Sequence, residues 1–313
     1  MRRKTETAGV FCACGCGRKI ESIDRSGRPR RFKPGHNVRM RAQEYVPREF
    51  LDLKRPDHAY LFGFVQTDGH LGRGKGNKGR FQVELSSRDE YILRRFKSMV
   101  PVASSLHRRT RDTNFKANYH SSVWSVSDKA FREHIASLGM PVGEKSRRTR
   151  PPENVSLIDY IRGLVDANGS VGMTGKGLPY LSLTTSSEAI KECFISFVDE
   201  TTGEEHHRNR NKRDNVYNIL VTCEEAQKVI ARLYYPGALA LPRKMKAAQR
   251  ALDWKRPAWM KIAPPRQRWT DDEDSTALSN ALSDVMTFLG RTDKSVKIRR
   301  WRLLGLGPCA SSS

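Results

Sequence analysis

Residues 60–71 read Tyr-Leu-Phe-Gly-Phe-Val-Gln-Thr-Asp-Gly-His-Leu, and residues 160–171 read Tyr-Ile-Arg-Gly-Leu-Val-Asp-Ala-Asn-Gly-Ser-Val. They align without a gap at an offset of 100 residues and share four identities, Tyr60/Tyr160, Gly63/Gly163, Val65/Val165 and Gly69/Gly169. Each predicts an apolar helix that stops at an acidic or amide residue. The glycine that follows is free to take the left-handed conformation common after helices. The repeat therefore predicts two related halves.

Small residues recur within each copy. Gly63 and Thr67, and likewise Gly163 and Ala167, fall four positions apart and therefore on one helical face. Small residues at this spacing let two helix backbones approach closely. We expect the two helices to pack side by side, with the residues that end them meeting at one end of the seam.

Asp68 and Asn168 are the residues that end the two predicted helices. A carboxylate in this position faces the negative end of the helix dipole, which costs roughly 0.3–1 kcal/mol. Asp68 is therefore expected to have a positive partner, and a divalent metal ion is a natural candidate. A single Asp-Gly pair would more simply be a turn, but two copies in register favour a functional site.

The chain is strongly basic. Its 313 residues include 57 Lys and Arg against 34 Asp and Glu, which gives a formal charge of +23 and a pI near 10.1. A surface of this kind indicates a polyanionic partner, most often nucleic acid, and is unusual for a metabolic enzyme. A solvated basic surface without a partner is the alternative. Hydrophobic residues make up 37% of the chain, which is enough for a folded core.

The charge is spread over three segments. Residues 1–56 carry 15 basic and 6 acidic residues, and residues 254–313 carry 11 and 6, so both ends add to the charge of the central part. No apolar run reaches the roughly 18 residues of a membrane span. The start, Met1-Arg2-Arg3-Lys4, lacks the apolar stretch of a signal peptide. We therefore expect the protein to act in the cytoplasm of a bacterial or phage-infected cell.

Residues 1–40 contain a candidate zinc-binding module. Cys12, Cys14, Cys16 and His36 form the three-thiolate, one-imidazole set that a closed tetrahedral zinc site uses, although the spacing is not that of the common zinc knuckle. The segment has too few apolar residues for a core, so a metal would supply much of its folding energy. A loose tail with incidental cysteines is the alternative. A basic linker is predicted at 41–56.

Both halves continue with the same predicted order of elements. Over residues 57–150 the pattern predicts a strand at 80–86, a helix at about 88–99, strands near 104–111 and 118–126, and a helix at about 128–138. Over residues 151–253 it predicts helix 155–168, strand 179–185, helix 187–199, strands near 204–210 and 215–222, and helices 223–234 and 242–253. Lys145 lies 77 residues after Asp68 and Lys244 lies 76 after Asn168, which places one lysine per half in an equivalent position.

The motifs and the order of elements over residues 57–253 resemble the LAGLIDADG homing endonucleases. The resemblance implies an α+β fold in which two pseudo-symmetric αββαββα halves form a DNA-binding saddle, with the motif helices at their interface. It also implies that the residue ending each motif binds divalent metal and activates water, and that a basic residue of each half lies near the scissile phosphates. The corresponding catalytic positions are Asp68, Asn168, Lys145 and Lys244. The N-terminal segment similarly resembles small Cys/His modules that precede phage-type homing endonucleases.

Asn168 departs from the family pattern. An amide is a weaker metal ligand than a carboxylate and cannot act as a base. Asp166, two residues earlier, projects from a different helical face and is a doubtful substitute. The family chemistry uses two adjacent Mg²⁺ ions shared between carboxylates, assisted by lysines. With Asn168 one anionic ligand is missing, so we expect slow cleavage or cleavage of one strand.

The outward polar residues of the predicted strands are candidate base readers, because Arg pairs with guanine and Gln or Asn with adenine. For any single residue, a solvated strand face is an equally good explanation. The predicted DNA-binding set is Arg80, Gln82, Glu84, His107, Arg109, Arg111, Tyr180, Ser182, Thr184, Arg208 and Arg210.

The C-terminal segment follows a linker at 254–267 and resembles Myb/SANT-like helix-turn-helix modules over residues 268–306. Thr270 and Glu273 form a capping-box pattern, apolar residues follow at Leu278, Leu282 and Val285, and Gly290 ends a helix. Thr292 or Asp293 then begins a second, basic helix. The resemblance implies that the residues entering or flanking a DNA groove are Lys294, Ser295, Lys297, Arg299 and Arg300. A small basic helical tail is the alternative.

The sequence as a whole favours a monomeric, intron-encoded type of homing endonuclease that hydrolyses a long double-stranded DNA site with Mg²⁺ and carries a structural Zn²⁺. Three other classes remain open. The first is a DNA-binding transcription regulator that does not cleave, and the loss of a carboxylate at Asn168 would be consistent with it. The second is an intron maturase that binds RNA. The third is a nickase in which only one half binds metal and cleaves.

Overall fold

The computed structural model describes residues 9–24, 27–36, 50–74, 79–112, 117–145, 147–260 and 269–305. The chain forms two compact units, residues 1–255 and residues 256–313. Most of the predicted linker at 41–56 lies outside the described residues. Within the described ranges, each helix is too short or too polar to span a bilayer.

A short hairpin begins the first unit. Strands β1 (Gly9–Phe11) and β2 (Lys19–Glu21) pair in antiparallel fashion. The turn that joins them contains the three clustered cysteines.

The first half follows the predicted order. Its motif helix α1 (Pro56–Asp68) leads directly into β3 (Gly69–Leu71) and β4 (Phe81–Ser86), and then into helix α2 (Glu90–Met99). Strands β5 (Ser104–Arg111) and β6 (Tyr119–Val126) precede helix α3 (Lys129–Ser137). The four strands form an antiparallel sheet, here called sheet 1, in the order β3-β4-β6-β5.

The second half repeats this arrangement with one strand fewer. Helix α4 (Leu157–Asn168) leads into β7 (Gly169–Met173) and β8 (Pro179–Thr185), followed by helix α5 (Glu188–Thr202), strand β9 (Tyr217–Thr222) and helices α6 (Cys223–Leu233) and α7 (Pro242–Leu252). The three strands form sheet 2 in the order β7-β8-β9. The α+β class is confirmed, and the two halves share one hydrophobic core.

The predicted strand near 204–210 is absent from the second half, although all of its residues are described. The segment makes side-chain bonds instead of a ladder. His206 accepts or donates to Asp199 Oδ1 at 2.7 Å and Glu225 Oε2 at 3.3 Å. Arg208 donates to the Leu220 carbonyl of β9 at 2.9 Å. These bonds hold the segment beside sheet 2 without strand geometry.

Alternating burial on the strands places the core between sheets and helices. Phe81, Val83 and Leu85 point inward on β4, as do Leu181 and Leu183 on β8, within the strands predicted at 80–86 and 179–185. Aromatic rings fill the first half, where Phe81 and Trp124 pack edge to face with centroids 5.5 Å apart. The opposite faces of both sheets therefore remain for polar residues.

The two motif helices pack against each other through their glycines. A Cβ atom on Gly63 would lie 2.2 Å from the Tyr160 carbonyl oxygen, and one on Gly163 would lie 2.3 Å from the Tyr60 carbonyl oxygen. Both distances are too short for any side chain, so the predicted close approach of the helices is confirmed.

Two tyrosines make reciprocal hydrogen bonds across this interface. The Tyr60 hydroxyl donates to Asp166 Oδ2 at 2.7 Å, and the Tyr160 hydroxyl donates to Gln66 Oε1 at 2.6 Å. Gln66 and Asp166 occupy equivalent positions of the repeat. The interface therefore has the twofold character expected from the sequence.

The glycines that follow the motif helices correct one expectation. Gly69 and Gly169 have φ of −76° and −115°, so neither takes the left-handed conformation. Glycine is required at both positions because there is no room for a side chain. A Cβ atom would lie 2.5 Å from the Val65 carbonyl oxygen at Gly69 and 2.3 Å from the Ser182 carbonyl oxygen at Gly169. The chain thus turns from helix to strand within one residue.

The second unit contains three short helices among its described residues, α8 (Asp271–Ser279), α9 (Leu282–Leu289) and α10 (Asp293–Leu303). The capping box at Thr270, the left-handed Gly290 and the cap at Thr292 are confirmed. The single helix expected before Gly290 is wrong, because Asn280 is extended and its side chain donates to the Thr276 carbonyl. The small hydrophobic core of the second unit is formed by Ala277, Val285 and Val296, whereas Leu278 is exposed.

Candidate active site

The candidate site lies where the two motif helices end. Asp68 and Asn168 are each exposed, while the preceding turns of both helices are buried. Among the described residues, no group donates a hydrogen bond to the Asp68 carboxylate. In contrast, the Asn168 amide nitrogen donates to the Thr184 carbonyl of β8 at 2.6 Å. The two equivalent positions therefore differ in partners as well as in charge.

Lys145 and Lys244 bind the ends of the two motif helices. Lys145 Nζ donates to the carbonyls of Thr67 and Gly69. Lys244 Nζ donates to the carbonyls of Val165, Asp166 and Gly169 at 2.6, 2.7 and 2.9 Å. Cations at these carbonyls offset the negative ends of the helices. The two lysines thus supply part of the positive charge expected near Asp68.

The lysines differ in how many of their donors are used. An ammonium group has three N–H donors. Lys244, which is buried, uses all three on backbone carbonyls. Lys145, which is half-buried, uses two among the described residues. One donor of Lys145 therefore remains for a further acceptor.

The charges at this site alter one another's ionisation. Although Asp68 is exposed on one side, loss of solvation by the surrounding protein raises its pKa to about 6, and Lys145, Lys244 and Arg243 act in the opposite direction. Burial lowers the pKa of Lys145 to about 8, opposed by Asp68. Burial likewise lowers the pKa of Lys244 to about 8. Asp68 is therefore ionised at neutral pH and surrounded by cations.

Arg243 of the second half forms an ion pair with Asp89 of the first half. Its guanidinium binds both oxygens of Asp89, with Nε at 3.1 and 3.2 Å from them. Asp89 lies at the start of α2 in the first half and is buried. No local sequence pattern predicts this pair, because its members are 154 residues apart in the chain.

Asp166 makes its hydrogen bonds within the protein interior. Its carboxylate accepts hydrogen bonds from the hydroxyls of Tyr60 and Tyr234 and from the Leu241 amide, each at 2.7 Å. It is 1% exposed. Asp166 therefore stabilises the helix interface and cannot replace the carboxylate that Asn168 lacks.

The outer face of sheet 1 is polar and charged. Arg80 is exposed beside β4, and Gln82 donates to Ser125 Oγ at 2.9 Å. Glu84 accepts from Arg109 Nη2 at 2.6 Å and from Ser121 Oγ at 2.6 Å, and lies 3.2 Å from Arg111 Nη2. His107 is exposed on the same edge strand. Six predicted readers of the first half thus lie on or beside one face, namely Arg80, Gln82, Glu84, His107, Arg109 and Arg111.

The outer face of sheet 2 is uncharged and mostly polar. Tyr180 and Ser170 share a hydrogen bond between hydroxyls at 2.9 Å, and the Thr184 hydroxyl donates to Asn218 Oδ1 at 3.0 Å. Ser182 lies between them on the same face of β8.

Arg208 and Arg210 correct the prediction that they project from a strand of this sheet. Both lie in the irregular segment described above. Arg210 donates to the carbonyls of Ser186 and Asn215 at 3.1 and 2.9 Å and stacks over Tyr217 at 4.4 Å.

The hairpin and the turn after it bring Cys12, Cys14, Cys16 and His36 together. Their potential ligand atoms all lie within 4.8 Å of one another. Burial raises the pKa of Cys12, but hydrogen bonds from the backbone amides of Cys14 and Lys33 outweigh it and bring the value to about 7. Hydrogen bonds that favour a thiolate suit the set to zinc.

The predicted DNA-binding residues of the second unit do not share one environment. Lys294 is exposed, and Lys297 is exposed but pairs with Asp293 at 3.0 Å. Arg299 Nε donates to Asp274 at 2.7 Å, and Arg300 Nε donates to the Ala277 carbonyl at 2.6 Å. Ser295 donates its amide to Thr292 at the start of the helix. The two arginines therefore connect α10 to α8.

Comparisons with known proteins give limited similarity. No family model matches the chain. The tRNA-splicing ligase RtcB of Methanocaldococcus jannaschii is 26% identical over 162 residues, which is 45% of this chain and 17% of that protein. RtcB of Pyrococcus furiosus is 24% identical over 148 residues, 42% of this chain and 15% of that protein. The chain thus spans less than a fifth of the length of these curated relatives.

Among solved structures, the chain is similar to the homing endonuclease I-WcaI bound to its DNA recognition sequence. The TM-score is 0.47 at 16% identity, over 67% of this chain and 91% of that chain. It is also similar to the LAGLIDADG homing endonuclease I-LtrWI bound to target DNA. Here the TM-score is 0.42 at 12% identity, over 62% of this chain and 87% of that chain.

Proposed function

We propose that this chain is a divalent-metal-dependent DNA endonuclease of the LAGLIDADG homing type, and that it cleaves one strand far faster than the other. The observation that supports this most directly is the placement of Lys145 and Lys244 at the ends of α1 and α4, where Asp68 and Asn168 end the two helices. A carboxylate that accepts no hydrogen bond from any described residue and lies near several cations is suited to bind a metal ion and a phosphate together.

Asp68 is the residue that would hold Mg²⁺ in the first half. Its carboxylate accepts no hydrogen bond from the described residues and is ionised at neutral pH, since its pKa is about 6. Carboxylate oxygens are the ligands that Mg²⁺ prefers. When bound, the metal would supply an activated water and neutralise charge on the phosphate.

The lysines and Arg243 would stabilise the negative charge that develops on the phosphate. Lys145 has one N–H donor not used by the helix end, so it can bind a phosphate oxygen while still capping α1. Lys244 has used all three donors and contributes its charge only. The first half therefore has both a ligand and a phosphate donor.

The second half lacks both of these features. Asn168 offers a neutral oxygen, and its nitrogen is bonded to Thr184. Loss of an anionic ligand can cost several kcal/mol of transition-state stabilisation, or on the order of a thousandfold in rate. We infer that the strand served by Asp68 is cut first and that the product is a nicked duplex.

The test needs a DNA site, which selection from a randomised duplex library provides. A supercoiled plasmid carrying the selected site should be converted to the nicked form in Mg²⁺, with little linear product. Asp68→Asn should bind the site equally well and leave the plasmid supercoiled. Asp253→Asn, a matched aspartate at the end of α7, should behave as wild type.

Two results would oppose the proposal. Tight binding of the plasmid without nicking at any Mg²⁺ concentration would indicate a DNA-binding regulator. Preferential binding of structured RNA over duplex DNA would indicate an RNA-binding role.

The N-terminal cluster is proposed to bind one structural Zn²⁺ per chain through Cys12, Cys14, Cys16 and His36. Metal content of the purified protein should be about one zinc per chain, and Cys14→Ser or His36→Ala should lose most of it. Cys223→Ser, which changes a cysteine outside the cluster, should keep it. Equal zinc in all four proteins would show that the ligand set is wrong.

The second unit is proposed to bind DNA flanking the central site. Lys294 and Lys297 are its best-placed contacts, since Arg299 and Arg300 are committed to holding α10 against α8. Lysine contacts to phosphate position a protein on DNA without reading sequence.

A further inference from the structure

The two sheets differ sharply in the charge of their strands. Sheet 1 carries Glu84, Arg108, Arg109 and Arg111 on its strands, whereas no residue of β7, β8 or β9 is charged. All three strands of sheet 2 fall within residues 147–260, which are described without a gap. If these faces enter a DNA groove, they must therefore read bases by different chemistry.

On sheet 1 a carboxylate holds the arginines in place. Arg109 binds Glu84 through two nitrogens, Nε at 3.1 Å and Nη2 at 2.6 Å, and Arg111 lies 3.2 Å from the same carboxylate. Ser121 donates to Glu84 as well. A guanidinium fixed in this way loses less conformational freedom when it forms a bidentate contact. Arginine donates to guanine O6 and N7, so Arg109 and Arg111 favour a G·C pair, and Glu84 acts by holding them in place.

Gln82 does not reverse this preference. Bidentate recognition of adenine by glutamine needs both its amide nitrogen and its oxygen. The Gln82 nitrogen already donates to Ser125 Oγ at 2.9 Å. Its second N–H and its oxygen remain available to a base, so on this face one glutamine stands against two arginines.

Sheet 2 presents hydroxyls around one apolar side chain. Leu220 points outward on β9 and is 45% exposed, directly across the strand pair from Ser182. Its neighbours on this face, Tyr180, Thr184 and Asn218, are neutral. In the major groove the thymine methyl is the group that an apolar side chain contacts. Arg208 and Arg210 lie beside the strands, in the irregular segment, and donate to backbone carbonyls.

We propose that the two sheets read half-sites of opposite composition, with G·C pairs opposite Glu84, Arg109 and Arg111, and A·T pairs opposite Leu220. This inference rests on the proposed binding of duplex DNA. It assigns Leu220 as a specificity residue and Glu84 as a positioning residue, which acts through the two arginines.

The experiment is selection of bound duplexes from a library randomised over the whole site, using the full-length protein. Wild type should enrich G·C pairs in one half-site and A·T pairs in the other. Leu220→Ser should relax thymine preference in the A·T half alone, by about tenfold at the affected position. Arg109→Ala should relax guanine preference in the other half by a similar factor. Arg95→Ala, which removes the same charge from exposed helix α2, should leave both half-sites unchanged.

Glu84→Gln separates positioning from direct reading. It should lower guanine preference at the positions that Arg109 and Arg111 read, and Arg109→Ala should have little further effect in its presence. Selected half-sites of equal composition, or a Leu220→Ser protein with unaltered preference, would overturn the inference while leaving DNA binding intact. Failure to enrich any duplex would instead overturn the proposed function, and the inference with it.

Discussion

The two halves of this chain are alike where they meet each other and different where they would meet a substrate. At their interface, Gly63 and Gly163 each fit against the other helix's backbone, and each motif tyrosine bonds to the equivalent position of the opposite half. At the helix ends, the first half has a carboxylate and the second an amide. Close packing constrains the shared interface, whereas the exposed ends can change without unfolding the protein.

The largest expected effect comes from making the helix ends alike. Asn168→Asp should raise the rate of cutting of the slow strand by about a thousandfold, because it restores an anionic metal ligand. Strand-specific rates on end-labelled duplex in Mg²⁺ measure this. Asn218→Asp adds the same charge to the outer face of sheet 2 and should not have this effect. Equal, rapid cutting of both strands by the unaltered chain would contradict the two-carboxylate interpretation.

The next effect tests the similarity of the halves at their interface. Gly63→Ala and Gly163→Ala should each lower the free energy of unfolding by about 3 kcal/mol or more, since the helices must separate to admit a methyl group. Urea denaturation compares them with Gly175→Ala, where a Cβ atom would meet nothing within 4 Å. That control should change stability by about 0.5 kcal/mol or less. An alanine tolerated at only one of the two interface positions would argue against reciprocal packing.

The smallest effect concerns the segment that replaces a strand in the second half. Burial lowers the pKa of His206, but its bonds to Asp199 and Glu225 outweigh this and raise the pKa above 6.5. Because the folded pKa is raised, the stabilisation is complete below about pH 6.5 and is lost as the pH rises through the folded value.

Unfolding free energy should therefore fall between pH 6 and pH 8, by on the order of 1 kcal/mol or less for a partly exposed site. His206→Gln should flatten this dependence, and His207→Gln, at an exposed neighbour, should retain it. A pH dependence unchanged in His206→Gln would show that the ion pairs do not hold the segment.

The sequence was informative wherever a pattern was local or repeated. The period-two alternation of Phe81, Val83 and Leu85 located a strand, and the motif repeat located the helix interface. Equal spacing identified Lys145 and Lys244 as equivalent, but not as helix caps, since that depends on where the chain returns. The contact between Arg243 and Asp89 and the bonding of His206 arise from tertiary packing, which no local pattern encodes.

The paired tyrosines also bear on how such a chain can diverge. Tyr60 reaches Asp166 and Tyr160 reaches Gln66, so each half offers the other the same donor and an acceptor at the same position. This is the self-complementary contact of a twofold dimer, contained in one polypeptide. Two copies of either half could satisfy the same hydrogen bonds. Each half can therefore alter its exposed residues independently, which the proposed reading of two unlike half-sites requires.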